Sequence, residues 1–338
     1  MLKSVLIANR GEIGRRIIRT SRLLGIETIA VYSDIDEKSL FVQEADKALR
    51  IGGSKAKESY LNIDKIVAAG RASGATAIHP GYGFLSERWE FARRCEAEGL
   101  IFVGPSSEVI HQMGDKLRSR EIATSLGIPI PLGSGILSSV EEARKWATEL
   151  SFPVIFKASA GGGGIGMMKV EKEGEVAEAF ETTTNRARLA FGDERVYVEK
   201  YLESPHHIEI QILGDKDGNV VTFPERECSV QRRHQKVIEE SPSPFTTAGL
   251  RHELGQAARR LAQGIGYTNA GTVEFVVDGH RNYYFLEINA RLQVEHPITE
   301  MTTGIDLVEQ QMRIASGEPL LLRGESLEWK GWAIEARI

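Results

Sequence analysis

Residues 271–291, GTVEFVVDGHRNYYFLEINAR, constrain this chain more than any other stretch. Two runs rich in β-branched and aromatic residues, 271–278 and 283–290, flank a Gly-His-Arg-Asn turn, which is the pattern of a β-hairpin. Folding symmetrically about that turn sets Asp278 against Tyr283 and Glu274 against Glu287. Directly opposed side chains in an antiparallel pair have Cβ atoms about 5 Å apart, where like charges repel. A cation between the two acids removes the repulsion. Asn289, two residues past Glu287, shares its face and adds an amide oxygen. Two carboxylates, an amide and water suit Mg²⁺ or Mn²⁺, which take oxygen ligands and share phosphate oxygens. The competing reading is a solvated strand face, or two acids each paired with a lysine. Val273, Phe275 and Val277, facing Tyr284, Phe285, Leu286 and Ile288, argue for a sheet buried on at least one side. Arg291, Gln293 and Glu295 follow directly. They are enough for a small-anion site beside the metal, with Glu295 free to act as a base.

With 338 residues the chain is too long for one ordinary core, so two or three domains are expected. A net charge of −5 gives no case for nucleic-acid or membrane binding through bulk charge. No stretch is long enough to span a bilayer, and the N-terminus lacks the apolar run of a signal peptide. Cys95 and Cys228 give no disulfide framework, which points to a reducing cytoplasm. The 34 glycines exceed the typical share of about 7% and concentrate in loops, where backbone would approach ligands.

In chain order, residues 3–32 read as a βαβ unit: strand 4–8, helix 11–24, strand 27–32. The turn over residues 9–14 meets a helix N-terminus, a natural anion site. Its Gly-x-x-Gly spacing is not the dinucleotide fingerprint, so a Rossmann-like scaffold is favoured over NAD binding. Helix 59–70, strand 75–79, helix 87–98 capped by Ser86, strand 100–103 and helix 106–113 continue the α/β alternation. Tyr82, between two glycines at a strand end, faces a cleft or sits in an ordinary tight turn. Asp115-Lys116 opens a helix to residue 126, and a Pro-rich connector follows. Lys116, on a first helical turn against the dipole, is either a surface lysine or a phosphate partner.

A buried strand carries Lys157 into Gly161, Gly162, Gly163 and Gly164. Four bare backbone N–H groups in a row suit a phosphate. No Gly-Lys-Ser/Thr follows, so the run is not a Walker A loop but a flap closing over phosphates, with Lys157 beneath. Helix 173–191 and strands 195–200, 206–213 and 220–223 come next. Glu199, Lys200 and Leu202, at a strand edge, would read an adenine. Arg226, Arg232, Arg233, His234 and Lys236 form either a solvated basic loop, paired with Glu239 and Glu240, or counter-charge for a polyphosphate and a second anion. Helices 251–265 and 305–314 complete the pattern. Strand 331–338 stops without a turn or cap, so the chain is expected to be cut short. The expected divisions are 1–113, 114–203 and 204–338: a Rossmann-like parallel-sheet domain, a lid region with its linker helices, and a C-terminal lobe.

Six motifs occur together: IANRGEI (7–13), HPGYGFLSE (79–87), KASAGGGG (157–164), ECSVQRRHQK (227–236), FLEINARLQVEHP (285–297) and EAR (335–337). Jointly they resemble the biotin carboxylase component of biotin-dependent carboxylases, on an ATP-grasp fold. The resemblance covers the whole chain and implies an α/β domain followed by an α+β ATP-grasp part. It implies a ligase that makes carboxyphosphate from ATP and bicarbonate and passes CO₂ to biotin on a carrier protein, in concert with a carboxyltransferase component. It further implies that Lys116 and Lys157 hold phosphates, that the four glycines are the lid, and that Glu199, Lys200, Leu202, His207, Gln231 and His234 surround the nucleotide. Glu274, Glu287 and Asn289 would hold two Mg²⁺ or Mn²⁺ ions. Lys236, Arg291, Gln293 and the Val294 backbone would hold bicarbonate. Glu295 would be the base, Arg337 would stabilise carboxyphosphate and the biotin enolate, and Tyr82 would lie near biotin. Two departures stand out. Ile165 replaces the Arg or Lys that many relatives carry after the glycines, and relatives continue well past Arg337 with the usual homodimer surface. The alternatives are another ATP-grasp ligase of the carbamoyl-phosphate type, a non-catalytic MgATP-binding fragment, and, more distantly, a dehydrogenase.

Overall fold

Alternating apolar strands and amphipathic helices build the N-terminal part as a parallel sheet. The computed structural model describes residues 1–160, 166–233, 235–322 and 327–338. Strands β1 (Ser4–Ile7), β2 (Glu27–Ser33), β3 (Lys47–Gly52), β4 (Ala77–His79) and β5 (Ile101–Phe102) lie in the order β3-β2-β1-β4-β5. Helices α1 (Gly11–Leu23), α2 (Leu40–Glu44), α3 (Ile63–Ser73) and α4 (Trp89–Ala97) connect them, and α5 (Ser107–Gly114) follows β5. Strand order reverses between β1 and β4, so the loops that leave these two strands flank a crevice, where open α/β sheets bind ligands. The β4 loop carries Tyr82. Asn9, from the β1 loop, fixes it by donating from Nδ2 to the carbonyls of Pro80 and Tyr82, both at 2.8 Å. Gly81 is needed there: its φ is +64°, and a Cβ would come within 2.9 Å of Asn9 Nδ2.

Several boundaries differ from the sequence expectation, and α2, β3 and a helix over Val140–Leu150 were not anticipated; two of the differences turn on helix caps. Helix α3 starts at Ile63 rather than 59, because Asn62 is the cap and accepts from the Lys65 N–H. Ser86 does not cap α4: the cap position is Arg88, without a side-chain bond, and Ser86 Oγ is buried without a hydrogen-bond partner among the described residues.

Helices α6 (Lys116–Ser125) and α7 (Val140–Leu150) lead into a small antiparallel sheet of β6 (Val154–Ala158), β7 (Met167–Val170) and β8 (Val196–Lys200), ordered β7-β6-β8. Helix α8 (Val176–Phe191) packs on it, and with α7 it closes a separate core around Phe156, Val170, Val176 and Val198.

The third sheet is antiparallel: β9 (His206–Gly214), β10 (Val220–Thr222), β11 (Arg226–Arg232), β12 (Gln235–Ser241), β13 (Asn269–Val277), β14 (Tyr283–Asn289) and β15 (Ala333–Ala336). Its order is β14-β13-β9-β11-β12-β15, with β10 beside β9. Helices α9 (Ala248–Gly264), α10 (His296–Thr303) and α11 (Leu307–Ala315) cover it. Apolar side chains of this sheet, including Ile208, Phe275 and Phe285, share one core with Phe91 of α4 and Phe102 of the first sheet. Within the basic stretch, β11 and β12 pair as antiparallel strands; Arg226 is fully buried and Lys236 partly buried, while Arg232 and Arg233 are exposed. Among the described residues no helix is long and apolar enough to cross a membrane.

The β13–β14 hairpin pairs Glu274 with Glu287, but by another route than symmetric folding. Val277, not Asp278, faces Tyr283, because Asp278 closes the turn: its Oδ1 accepts from the N–H groups of His280 and Asn282. A bulge between Phe275 and Glu274 then restores the register.

Candidate functional site

The register of the third sheet lines up one row of charge. Glu287 faces Glu274, Glu274 faces Glu209, and Glu209 faces Arg226, one residue from each of β14, β13, β9 and β11. Along β9 the polar residues His207, Glu209 and Gln211 alternate with Ile208, Ile210 and Ile212, so the isoleucines fill the core and the polar set meets the site. Arg226 ends the row from below. It pairs with Glu209, donates from Nη1 to Gln211 Oε1 and Thr299 Oγ1, both at 2.9 Å, and from Nη2 to Thr272 Oγ1 at 3.0 Å.

Lys236 reaches into the row from β12. Its Nζ lies 2.5 Å from Glu209 Oε2, 2.9 Å from Glu274 Oε1 and 2.7 Å from Glu295 Oε1. Burial alone would strip the charge from this ammonium, but the surrounding carboxylates hold its pKa well above the ordinary lysine value. Glu295 stands just before α10 and is fully buried. Burial would raise its carboxyl, yet Lys236 first and Arg226 next bring it down to about 2. Its other oxygen, Oε2, accepts from Arg337 Nη2 at 2.8 Å.

A second cluster flanks the first. Arg291 donates from Nε to Glu87 Oε2 at 2.8 Å, from Nη1 to Gln293 Oε1 at 2.7 Å and from Nη2 to Asn289 Oδ1 at 2.9 Å. Gln293 Nε2 and Asn289 Nδ2 both donate to Glu274 Oε1, at 2.9 and 2.8 Å. Val294 is partly buried beside them.

The metal question turns on which acids already have cations. The two clusters of potential ligand side chains among the described residues are His207-Glu209-Glu274 and Glu209-Cys228-Glu295. Lys236 Nζ is bonded to Glu209, Glu274 and Glu295, so an ammonium already serves both clusters. Glu287 is different. Among the described residues its one ion-pair partner is Lys116, at 3.9 Å, and burial, reinforced by facing Glu274, raises its carboxyl above the ordinary range. An under-compensated carboxylate opposite a second one, with the Asn289 amide alongside, fits a hard divalent cation. His207 Nε2 lies 2.8 Å from Glu274 Oε2, off the hydrogen-bonding direction; burial works against its charge, but Glu274 raises its pKa. Gln231 Nε2 contacts its other ring nitrogen at 3.1 Å.

Lys157 lies in the small sheet with its Nζ 2.5 Å from Glu199 Oε2, and Arg120 pairs with the same carboxylate. Burial, then Lys116 and Arg120, pull the Lys157 pKa down to about 7. The Glu199 carboxylate is thus committed to two cations. Lys200 points away from this cluster: its Nζ donates to the carbonyls of Ser151 and Phe152 at 2.9 and 3.3 Å. Leu202 follows at the strand end, partly exposed. Tyr82 is partly buried against an apolar cluster that includes Ile7, Ile13 and Leu292. Gly161, Gly162, Gly163, Gly164, Ile165 and His234 lie outside the described residues. The sequence reading gave no site role to Glu87 or Glu209, and it set Arg226 only in a basic cluster against a polyphosphate and a second anion, not beneath the acidic row. Polar residues alternating with isoleucine along β9 were the available signal for Glu209.

Comparison with known proteins gives this geometry a context. Residues 1–110 match the family described as "Biotin carboxylase, N-terminal domain", and residues 115–323 match "Carbamoyl-phosphate synthase L chain, ATP binding domain". The chain is 52% identical to biotin carboxylase 2 of Bacillus subtilis, over 100% of its own length and 76% of the relative's. It is also 52% identical to the propionyl-CoA carboxylase alpha chain of Ruegeria pomeroyi, of which it spans half. A crystal structure of the Campylobacter jejuni biotin carboxylase–β,γ-ATP complex superposes with a TM-score of 0.97 at 46% identity, covering 100% of this chain and 76% of that one. The biotin carboxylase domain dimer of Hydrogenobacter thermophilus 2-oxoglutarate carboxylase, crystallised with MgADP, ADP and bicarbonate, gives 0.96 at 48% identity, covering 100% and 74%.

Proposed function

The chain belongs to the biotin carboxylase family, ligases that carboxylate biotin using ATP, and from that premise we propose how its own residues divide the work. The observation that carries the reading is Lys236 held among Glu209, Glu274 and Glu295. One ammonium there touches both an acid of the facing pair and the acid beside the Arg291 cluster. That is what joining a nucleotide's γ-phosphate to a small oxyanion requires.

Glu274 and Glu287, with Asn289 at their edge, would hold Mg²⁺ or Mn²⁺, two ions in number, which neutralise charge on the triphosphate when bound. Lys116 and Lys157 would meet the phosphates, with the lid formed by Gly161, Gly162, Gly163 and Gly164. His207, Gln231, His234, Leu202 and the backbone of Glu199 and Lys200 would line the nucleotide. Arg291, Gln293, the Val294 backbone and Lys236 would hold bicarbonate. Tyr82 and Arg337 would receive biotin.

Glu295 would take the bicarbonate proton. With Lys236 and Arg337 both on it, the carboxylate is a weak base. An incoming anion that draws those two cations away raises its basicity at the moment it is needed. The chain would act with a biotin carrier and a carboxyltransferase component, as the carboxylase names of its relatives suggest, and in a reducing, cytoplasmic setting that suits buried, unpaired Cys95 and Cys228. The divisions 1–113, 114–203 and 204–338 would be scaffold, lid with linker, and catalytic lobe. The test is phosphate release from MgATP by the purified chain. Release that needs bicarbonate and rises with free biotin supports the reading; release indifferent to bicarbonate rejects it.

A further inference from the structure

Arg337 meets two carboxylates, and only Glu295 has been given a task above. The other is Glu239 on β12, whose Oε1 lies 2.7 Å from Arg337 Nε. Glu239 is fully buried, and neither of its oxygens accepts a hydrogen bond among the described residues. The contact with Arg337 is therefore an ion pair set off the hydrogen-bonding direction. A buried carboxylate without donors is costly unless a charge compensates it.

The residue in register with Glu239 on β15 makes this placement worse, not better. It is Glu335, partly buried, whose carboxyl burial and then Glu239 push up to about 7. Like charges directly opposed across two strands destabilise the pair. Valine or threonine would serve a paired strand at this position without repulsion. The acid has a use only through what it holds.

A guanidinium has a fixed planar fork, so pinning one edge aims the other. With Nε against Glu239, the Nη2 edge of Arg337 points at Glu295, 2.8 Å away. Remove the Glu239 charge and, among the described residues, Glu295 is the carboxylate that still holds Arg337. The guanidinium, bonded through Nη2 alone, would then be free to turn about that contact and lose its aim. We propose that Glu239 is a positioning residue: by pinning Arg337 at Nε it keeps the Nη2 edge aimed at Glu295 and at the anion and biotin that react beside it. The proposal rests on the reading of Arg337 and Glu295 given above.

The test is a double-mutant cycle on the full chain: Glu239→Gln, Arg337→Met and the two together, assayed as bicarbonate-dependent ATP cleavage with saturating free biotin. In the parent, Glu239→Gln should lower kcat at least about tenfold, the scale of a misplaced catalytic group, with KM for ATP changed less than about twofold. When Arg337 is already Met, the same substitution should change kcat less than about twofold. A loss of equal size in both backgrounds overturns the proposal, because Glu239 then serves the sheet and not the arginine. Should Glu239→Gln not fold, Glu239→Asp keeps the charge but draws it back, and goes through the same cycle with the same two readings. A parent chain with no bicarbonate-dependent cleavage removes the premise itself, a result distinct from equal losses in an active enzyme.

Discussion

Lys236→Met takes one ammonium from the middle of three carboxylates. In the native chain its Nζ lies within 2.9 Å of Glu209, Glu274 and Glu295. Breaking a buried ion pair by removing one partner costs about 3–5 kcal/mol. Glu295 gives a second measure of the same size: its carboxyl is held at about 2 instead of 4.5, worth about 3 kcal/mol, and Lys236 is the largest favourable cause. At about 2 °C per kcal/mol for a chain of this length, the apparent Tm at pH 8 should fall by about 6–10 °C. The pH dependence is the sharper sign. Without the ammonium, burial and mutual repulsion raise the folded-state pKa values of these acids above their unfolded values. A carboxyl raised in the fold weakens it above that pKa, and the penalty disappears as pH falls through it. The deficit against the parent should therefore shrink between pH 8 and pH 5.5. Scanning calorimetry of both proteins across that range checks it. A deficit that stays constant, or one below about 1 kcal/mol at pH 8, refutes the claim that Lys236 neutralises this cluster.

Other consequences are open to measurement. Glu295→Gln should lower bicarbonate-dependent ATP cleavage by about 10²–10⁴-fold, the usual share of a general base, while calorimetry still finds nucleotide binding. Glu295 is depressed in the fold, so its stabilising contribution is present above about pH 4.5 and is lost as pH falls toward 2; the variant should lack that share of the acid-side loss. Glu287→Gln should raise the Mg²⁺ concentration for half-maximal cleavage at least about tenfold, as expected if the facing acids Glu274 and Glu287 are the two anionic ligands proposed above; an unchanged Mg²⁺ requirement counts against the facing pair as ligands. Lys157 is pulled down to about 7, so a phosphate arriving at pH 8 should recharge it. MgATP binding measured in two buffers of different ionisation enthalpy should show proton uptake at that pH, and Lys157→Met should abolish it.

What could be read from the sequence was local. The hairpin of β13 and β14 announces itself through its turn and its apolar alternation, and Glu274 does face Glu287. Symmetric counting reached that pair only because two deviations cancel: Asp278 drops out of the ladder to close the turn, and a bulge gives the residue back. The N-terminal βαβ unit was equally plain, since strand and helix periods are set by neighbours in the chain. Arg226, Glu209 and Lys236 are a different case. Each is a charged residue on an ordinary strand, and nothing nearby in sequence says that it is buried. They meet because β9 is inserted between β13 and β11, a pairing of strands roughly sixty residues apart that no short-range pattern encodes. Lys200 shows the same limit: its place at a strand end could be read, but not that its ammonium donates to the carbonyls of Ser151 and Phe152, about fifty residues earlier.

The facing acids and the neighbouring anion pocket can be tested together in one crystal. Grown with Mn²⁺, ADP and bicarbonate, it should show anomalous density between Glu274 and Glu287, and a planar anion held by Arg291, Gln293 and Lys236. Manganese bound elsewhere with those two carboxylates turned apart, or an anion pocket filled only by water, would contradict the account.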